Sequence, residues 1–339
     1  MKARWRTLLW LGVWIAAAPS VRAGADDDPA RRYERPGPYA VASVTCEWRD
    51  AARAREVPVK IYYPKTGKGP FPVIVFSHGL GGMREGYEYL GRHWASHGYV
   101  SVHLQHLGSD AAVWKGAAEP VKDMKRAANA ANAVARARDV SFAIDRLTEM
   151  NRGGPPLGGR LDLERIGVAG HSFGANTALL VAGQATVAPG GRPVAPLADP
   201  RVKAAIPMSP PVPARRDLCD RIYSLVKIPC LHMTGTLDTS PIGLTKAEDR
   251  RIPFDHIKAA DQYLVVFKGG DHMVFSGRGV LTPDRPKDRR FQDFIRAATA
   301  AFWDAYLKGD ARAREWLAGG GLAKALGGDG SLEERLEAK

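Results

Sequence analysis

A serine between two glycines is the residue of this chain whose setting most suggests chemistry. Gly170, Ser172 and Gly174 form a Gly-x-Ser-x-Gly motif. Residues 165–169 before it have the apolar pattern of a short strand, and residues 175–182 after it have that of a helix. On such a turn the serine hydroxyl is pushed clear of the sheet, and free N–H groups of the helix face any charge that forms beside it. We expect Ser172 to be a nucleophile; the alternative is an ordinary glycine-rich turn with a solvated serine.

A serine hydroxyl is a poor nucleophile at neutral pH, so a base must lie nearby. Among nine histidines, His272 is best placed, because it follows the last predicted strand, 263–267, through two glycines. The carboxyl ends of strands are where the active sites of open parallel sheets gather. We interpret His78 and His171 as structural neighbours of the site. The remaining weaker candidates for the base are His93, His97, His103, His106 and His256.

The base needs an acidic residue to orient its ring, and Asp238 is the best candidate. It follows an apolar strand, 228–233, in a loop that also lies at a strand's carboxyl end. The order Ser172, Asp238, His272 along the chain is one that known serine triads use. Asp271 and Asp199 are weaker alternatives. An aspartate in such a loop can also serve only the turn, by binding nearby N–H groups.

Ester or amide cleavage also requires N–H donors for the oxyanion that forms on the carbonyl. The sequence predicts the backbone N–H of Phe173, directly after the serine, as one donor. It predicts the N–H of Leu80 as the other, in a glycine-rich loop that follows the apolar strand 71–76. Met273 and Phe275 are candidates for lining a substrate pocket, although they fit an ordinary core equally well.

Strands and helices alternate along the chain, which predicts one α/β domain with a central, mostly parallel sheet flanked by helices. We place this catalytic domain at residues 40–307. Residues 107–135 are polar and alanine-rich, and we interpret them as a small insertion or lid. Residues 308–339 are predicted to be a helical or loose tail. The predicted strands are 41–48, 57–63, 71–76, 99–104, 165–169, 202–208, 228–235 and 263–267, and the main predicted helices are 87–97, 137–150, 175–182 and 291–307.

The first residues have the architecture of an export signal. Lys2, Arg4 and Arg6 precede an apolar run that is too short to cross a bilayer comfortably. Small residues then allow cleavage after Ala23. We expect residues 1–23 to be a signal peptide, residues 24–39 to be a flexible lead, and the mature protein to be periplasmic or secreted without a stable membrane span.

The composition is that of a soluble globular protein, with 45% hydrophobic and 25% charged residues among 339. The formal net charge of +13 is spread along the chain, and no nucleic-acid motif accompanies it, so we favour a basic solvated surface over nucleic-acid binding. The spacing of cysteines and histidines suggests no metal site. Cys219 and Cys230 are close enough in sequence to pair, but buried free thiols are an equal alternative; Cys46 is the third cysteine.

The glycine-rich loop at 77–82, the serine motif at 170–174, Asp238 in 235–238 and His272 in 270–272 together resemble the α/β-hydrolase superfamily. Within it, residues 40–307 are most similar to the branch of platelet-activating-factor acetylhydrolase-like, dienelactone-hydrolase-like and cutinase-like enzymes. The resemblance implies a cofactor-free serine carboxylesterase. Dienelactone hydrolases carry a cysteine nucleophile where this chain has Ser172, which argues against a dienelactone substrate.

These features predict an exported serine hydrolase that cleaves carboxylic esters, small or polymeric, through an acyl-enzyme. Two alternatives remain open at this stage. A peptidase or acyltransferase would use the same three side chains, because a fold does not determine a substrate. A non-catalytic binding protein on a hydrolase scaffold would not need them, and their presence argues against it.

Overall fold

The fold is taken from a computed structural model that describes residues 29–187, 193–194, 197–276 and 285–337. The predicted signal peptide, residues 1–23, lies outside the described residues, as do the first residues of the predicted flexible lead. The rest of that lead includes a short helix, α1 (Pro29–Glu34).

In the part of the chain that the structure describes, nine strands form one sheet, in the spatial order β1-β2-β4-β3-β5-β8-β9-β10-β11. The six strands from β4 to β10 in this order run parallel, and β1, β2 and β11 add antiparallel pairings at the two sides. This is the arrangement of an α/β-hydrolase fold, as the sequence predicted. The strands are β1 (Val41–Asp50), β2 (Arg55–Pro64), β3 (Phe71–Ser77), β4 (Val100–Leu104), β5 (Leu161–His171), β6 (Thr186–Val187), β7 (Pro193–Val194), β8 (Val202–Met208), β9 (Cys230–Leu237), β10 (Gln262–Asp271) and β11 (Gly330–Arg335).

Helices cover both faces of the sheet, which is why its central strands are apolar throughout. All seven residues of β3 are buried. Successive side chains of a strand point to opposite faces, and accordingly Val73 and Val75 join one core cluster whereas Ile74 and Phe76 join the other. The remaining helices are α2 (Glu88–Ser96), α3 (Pro120–Ala127), α4 (Ala130–Arg152), α5 (Phe173–Ala182), α6 (Cys219–Tyr223), α7 (Ile252–His256), α8 (Asp288–Leu307), α9 (Ala311–Ala318) and α10 (Gly321–Leu326).

The helix pattern of the sequence identifies which helix packs on which face. Val140, Ile144 and Leu147 of α4 are buried in the same cluster as Leu179 and Leu180 of α5. Such spacing places these side chains on one stripe of a helix. Helices α2, α8, α9 and α10 contribute to the cluster on the opposite face. The turn that contains Ser172, the predicted nucleophile, therefore lies between β5, a central strand, and α5, a helix packed directly on the sheet.

Three segments have more structure than the sequence indicated. The tail contains α9, α10 and a strand, β11, that pairs antiparallel with β10. The segment 107–135 contains a 3-10 turn, α3 and the first residues of α4. The loop after α5 contains a two-stranded ladder of β6 and β7.

The thiols of Cys46, Cys219 and Cys230 are all free. The open question about Cys219 and Cys230 is thus answered in favour of buried free thiols. Within the described residues, no helix is both long and apolar enough to cross a membrane.

Candidate active site

The turn that carries Ser172 is built from strained backbone and from glycines. Ser172 has φ +56° and ψ −119°, a conformation that residues with a side chain rarely adopt. A methyl group on Gly174 would overlap the carbonyl oxygen of Ser77, and one on Gly170 would overlap that of Gly174. The N–H of Ser172 is held by the carbonyl of Met208 on the neighbouring strand, at 2.9 Å. The two glycines are therefore required by close backbone approach.

His272 lies within hydrogen-bond distance of both Ser172 and Asp238. Its Nε2 is 2.9 Å from Oγ of Ser172, and its Nδ1 is 2.7 Å from Oδ1 of Asp238. His272 begins a 3-10 turn directly after β10, and Asp238 directly follows β9. The exposed fraction is 7% for His272 and zero for Asp238. Three residues that are distant in the sequence thus form one buried chain of hydrogen bonds that ends at the serine hydroxyl.

The carboxylate of Asp238 has two further partners, which the sequence did not indicate. The hydroxyl of Thr234 donates to Oδ2 at 2.8 Å, and the hydroxyl of Ser209 donates to the same oxygen. The Ser209 oxygen is also 2.8 Å from Nδ1 of His272. Ser209 directly follows β8 and has φ +56°, a second strained position in the site. Both bonds to Oδ2 leave Oδ1 directed at the imidazole.

Arg250 is a buried cation beside this acid. It is 1% exposed, and its guanidinium donates to the backbone carbonyls of Asp238, Ser209 and Pro210 at 2.8–3.1 Å. Its Nε also lies 3.4 Å from the Asp238 carboxylate. Burial lowers the pKa of Arg250, and the charge of Asp238 acts against that effect. Arg250 therefore connects the loop that contains Asp238 with the loop that contains Ser209.

The two predicted oxyanion donors have free N–H groups. Neither Leu80 nor Phe173 donates its backbone N–H to an acceptor within the described residues. Both polar backbone groups of Gly81 hold the Leu80 loop in place. The N–H of Gly81 donates to the carbonyl of Ser109 at 2.9 Å, and the carbonyl of Gly81 accepts from Nε1 of Trp114 at 2.7 Å. Ser109 and Trp114 belong to the segment 107–135, which is thus a brace for this loop.

A second buried arginine lies behind both donors. Arg136 is fully buried on α4, and within the described residues no carboxylate lies at salt-bridge distance from it. Its guanidinium donates to the carbonyl of His78, and at 3.0 Å each to the hydroxyls of Ser109 and Thr177. It also lies 4.7 Å from the centre of the Phe173 ring. Burial lowers the pKa of Arg136 to about 9, although the charge of nearby Asp139 opposes this.

His78 and His171 lie beside the site without joining the chain of hydrogen bonds to Ser172. The His171 ring is 4.7 Å from that of His272 and its Nδ1 is 2.8 Å from the hydroxyl of Tyr87. Burial, and then the neighbouring His272 and Arg250, lower the pKa of His171 well below its usual range. His78 Nε2 accepts from the backbone N–H of His106 at 3.1 Å. Both rings are neutral packing groups.

The two residues predicted to line a substrate pocket have different positions. Met273 lines a cavity of about 310 Å³ together with Leu237, Thr239, His272 and Arg285. Phe275 is fully buried and its ring contacts those of His171 and Phe267. Of the two alternatives for Phe275, its position agrees with ordinary core packing, because the 3-10 turn directs its side chain into the core.

Comparison with known proteins identifies relatives for part of the chain. Residues 49–189 match the family model described as platelet-activating factor acetylhydrolase, isoform II. Platelet-activating factor acetylhydrolase of Cavia porcellus is 30% identical over 151 residues, which are 37% of this chain and 34% of the relative. The protein of that name from Canis lupus familiaris is 31% identical over 144 residues, or 34% and 32% of the two chains.

The matched segment contains Leu80, Ser172 and Phe173 but ends before Asp238 and His272. The match spans about a third of the length of these curated relatives. The sheet order and the position of Ser172 between β5 and α5 agree with that match. Over residues 49–189 the chain is therefore similar to platelet-activating factor acetylhydrolases, and its sheet has the strand order of an α/β-hydrolase fold.

Proposed function

We propose that this protein is a serine hydrolase that cleaves carboxylic esters. The observation that carries the proposal is the chain of hydrogen bonds from Asp238 through His272 to Ser172, with distances of 2.7 and 2.9 Å. In the neutral imidazole whose Nδ1–H donates to Asp238, Nε2 carries no proton and faces the serine hydroxyl. That tautomer is the one that can remove the serine proton. The names of the similar proteins support an ester as the substrate.

The reaction has two halves. Oγ of Ser172 attacks the ester carbonyl while its proton moves to Nε2 of His272, and Asp238 stabilises the imidazolium. The oxyanion accepts hydrogen bonds from the N–H groups of Leu80 and Phe173. His272 then gives its proton to the departing alkoxide, which leaves an acyl group on Ser172. Water attacks that acyl group and loses a proton to His272, which gives it to Oγ of Ser172 as the acyl C–O bond breaks and the carboxylic acid leaves.

The decisive test is replacement of the nucleophile. For Ser172→Ala we expect kcat/KM with p-nitrophenyl acetate to fall by at least about 10³-fold, because only the donors and general binding remain. The variant should also resist labelling by a fluorophosphonate. Ser224→Ala is the matched control, because Ser224 is exposed and lies outside the site. Full turnover of p-nitrophenyl acetate by Ser172→Ala would refute the proposal. Parallel assays of the wild-type protein with p-nitroanilide substrates separate ester from amide hydrolysis.

We also propose that the protein is exported, with residues 1–23 removed. The support is the basic start, the short apolar run and the small residues that end at Ala23. Expression of the full chain in a bacterium, followed by N-terminal sequencing of the periplasmic fraction, should give a chain that begins at Gly24. Recovery of only the uncleaved chain from the cytoplasm would contradict this.

A further inference from the structure

A long cavity of about 750 Å³ begins beside the nucleophile turn and follows α5. Phe173, Asn176, Leu180 and Gln184 line it. Residues at intervals of three and four lie on one face of a helix, so Phe173, Asn176 and Leu180 form a single stripe of α5, and Gln184 follows just beyond the end of the helix. At 1.5 Å per residue the stripe is about 10 Å long. We call this cavity the α5 groove.

The rest of the groove wall is mostly small and apolar, with two uncharged polar side chains, Asn129 and Thr186, among it. Ala130, Ala133 and Val134 from the first turns of α4 contribute to it, and the segment 211–214 after β8 supplies two prolines, Val212 and an alanine. Such a wall favours a hydrocarbon over a hydrated group, because binding removes apolar surface from water. Its volume and composition are those of a binding site for a small organic group.

The charged and polar groups of the α5 groove restrict the ligand further. Arg215 at its rim is already held by both carboxylate oxygens of Asp217, at 2.6 and 2.8 Å. At the other end, the carboxamide oxygen of Gln184 is buried and has no hydrogen-bond partner among the residues that the structure describes; the residue is 6% exposed. A buried acceptor without a donor is unfavourable, so a ligand that supplies an O–H or N–H there would be stabilised.

We propose that the α5 groove binds one arm of the ester substrate. The arm is extended and uncharged, is apolar along its length, and carries a hydroxyl or amide donor near its end. This inference rests on the proposed function, because the groove begins at Phe173, the residue whose N–H would hold the oxyanion. It specifies the kind of ester that Ser172 would cleave.

The experiment blocks the groove and compares long with short esters. Ala133→Phe places a ring in the groove, and Ala131→Phe is the matched control, because Ala131 is exposed on the same helix and does not line the cavity. Two series are assayed: p-nitrophenyl dodecanoate against acetate for the acyl arm, and dodecyl acetate against ethyl acetate for the alcohol arm. In one of the two series, Ala133→Phe should lower the ratio of kcat/KM for the long ester to kcat/KM for the short ester at least tenfold. Ala131→Phe should leave that ratio unchanged.

A second variant shows whether the effect of Ala133→Phe comes from blocking the groove or from misfolding. Val212→Trp fills the groove from the opposite wall and should lower the same ratio. If the wild-type protein hydrolyses these esters but neither blocking variant changes the ratio in either series, the groove proposal fails and the proposed function stands. If the wild-type protein hydrolyses none of them, the proposed function itself fails.

The polar end of the arm is tested separately. The wild-type protein should prefer a chain with a terminal hydroxyl over the unsubstituted chain by roughly two- to tenfold, the value of one hydrogen bond. Gln184→Leu should abolish that preference, whereas Ala131→Phe should retain it. Equal kcat/KM values for the two chains with the wild-type protein would contradict the assignment of Gln184.

Discussion

Single side chains hold the proposed catalytic groups in place through bonds that no sequence motif reveals. Asp238 offers one carboxylate oxygen to His272 because Thr234 and Ser209 occupy the other. A free carboxylate on a loop would rotate, and the imidazole would lose its fixed tautomer. The hydroxyl groups of Thr234 and Ser209 therefore act through Asp238 on the orientation of the base.

Arg136 connects the two segments that carry the proposed oxyanion donors, and we expect its replacement to lower turnover. Arg136→Met removes the bonds to His78 and Ser109 and the contact with the Phe173 ring. Both donor segments should shift, and kcat with p-nitrophenyl acetate should fall about 10- to 100-fold with little change in KM, because the donors act on the transition state.

The control for this change is Arg138→Met, which removes an exposed arginine from the same helix. Arg136→Lys keeps a cation but cannot reach all three acceptors, and it should restore only part of the loss. A wild-type kcat for Arg136→Met would show that Arg136 does not position the donors.

At the scale of the elements, the approach of α5 to β3 allows no side chain at Gly174. A methyl group there would meet the carbonyl oxygen of Ser77, the last residue of β3. We expect Gly174→Ala to lower the free energy of unfolding in urea by about 1–3 kcal/mol, the usual cost of overpacking. It should also lower kcat at least tenfold, because α5 would move with Ser172.

Gly154→Ala is the matched control for Gly174→Ala. A methyl group on Gly154 meets no atom within 4 Å, so stability and kcat should stay close to the wild-type values. Equal effects of the two substitutions would mean that the contact between α5 and β3 is not what requires the glycine.

The elements that position Ser172 were predictable from the sequence, and much of what surrounds them was not. Apolar runs such as β3 identify buried strands, and strand order then places Ser172, Asp238 and His272 at neighbouring loops. Arg136 lies in the polar part of a helix pattern, where a basic residue normally faces solvent. Its burial depends on packing against segments far away in the sequence.

The strand β11 escaped prediction for a related reason. Its six residues are Gly330, Ser331, Leu332, Glu333, Glu334 and Arg335, and they contain one apolar side chain. Strand patterns are recognised by apolar alternation, which an edge strand with mostly exposed side chains lacks. The sequence left open whether Phe275 lines a pocket or the core, because sequence distance from His272 does not say to which side a 3-10 turn directs its side chains.

Over the whole molecule, buried neutral histidines should make stability depend on pH. Burial lowers the pKa of His103 and that of His232 from 6.5 to about 4, although hydrogen bonds with Gly86 and Gln262 oppose it. In the unfolded chain both titrate near 6.5. The stability that these neutral rings provide is complete above pH 6.5 and is lost as the pH falls from 6.5 towards 4.

We therefore expect the free energy of unfolding to be lower at pH 5 than at pH 8, with about 2 kcal/mol of the difference from each of these histidines. Urea unfolding at several pH values measures this for the wild-type protein and for His232→Gln. The variant should lose about 2 kcal/mol of the pH dependence, whatever its stability at pH 8. If the free energy of unfolding depended on pH equally in His232→Gln and in the wild type, His232 would already bind a proton in the folded protein at pH 5.

The pairing of β10 with β11 has a consequence for how the protein is made. When the ribosome has released His272, all three residues of the proposed catalytic chain are in the nascent polypeptide. One edge of β10 is still uncovered, because β11 is synthesised later. An uncovered strand edge is a template for pairing with another chain. A nascent chain at this stage is therefore exposed to pairing with other chains until β11 covers that edge of β10.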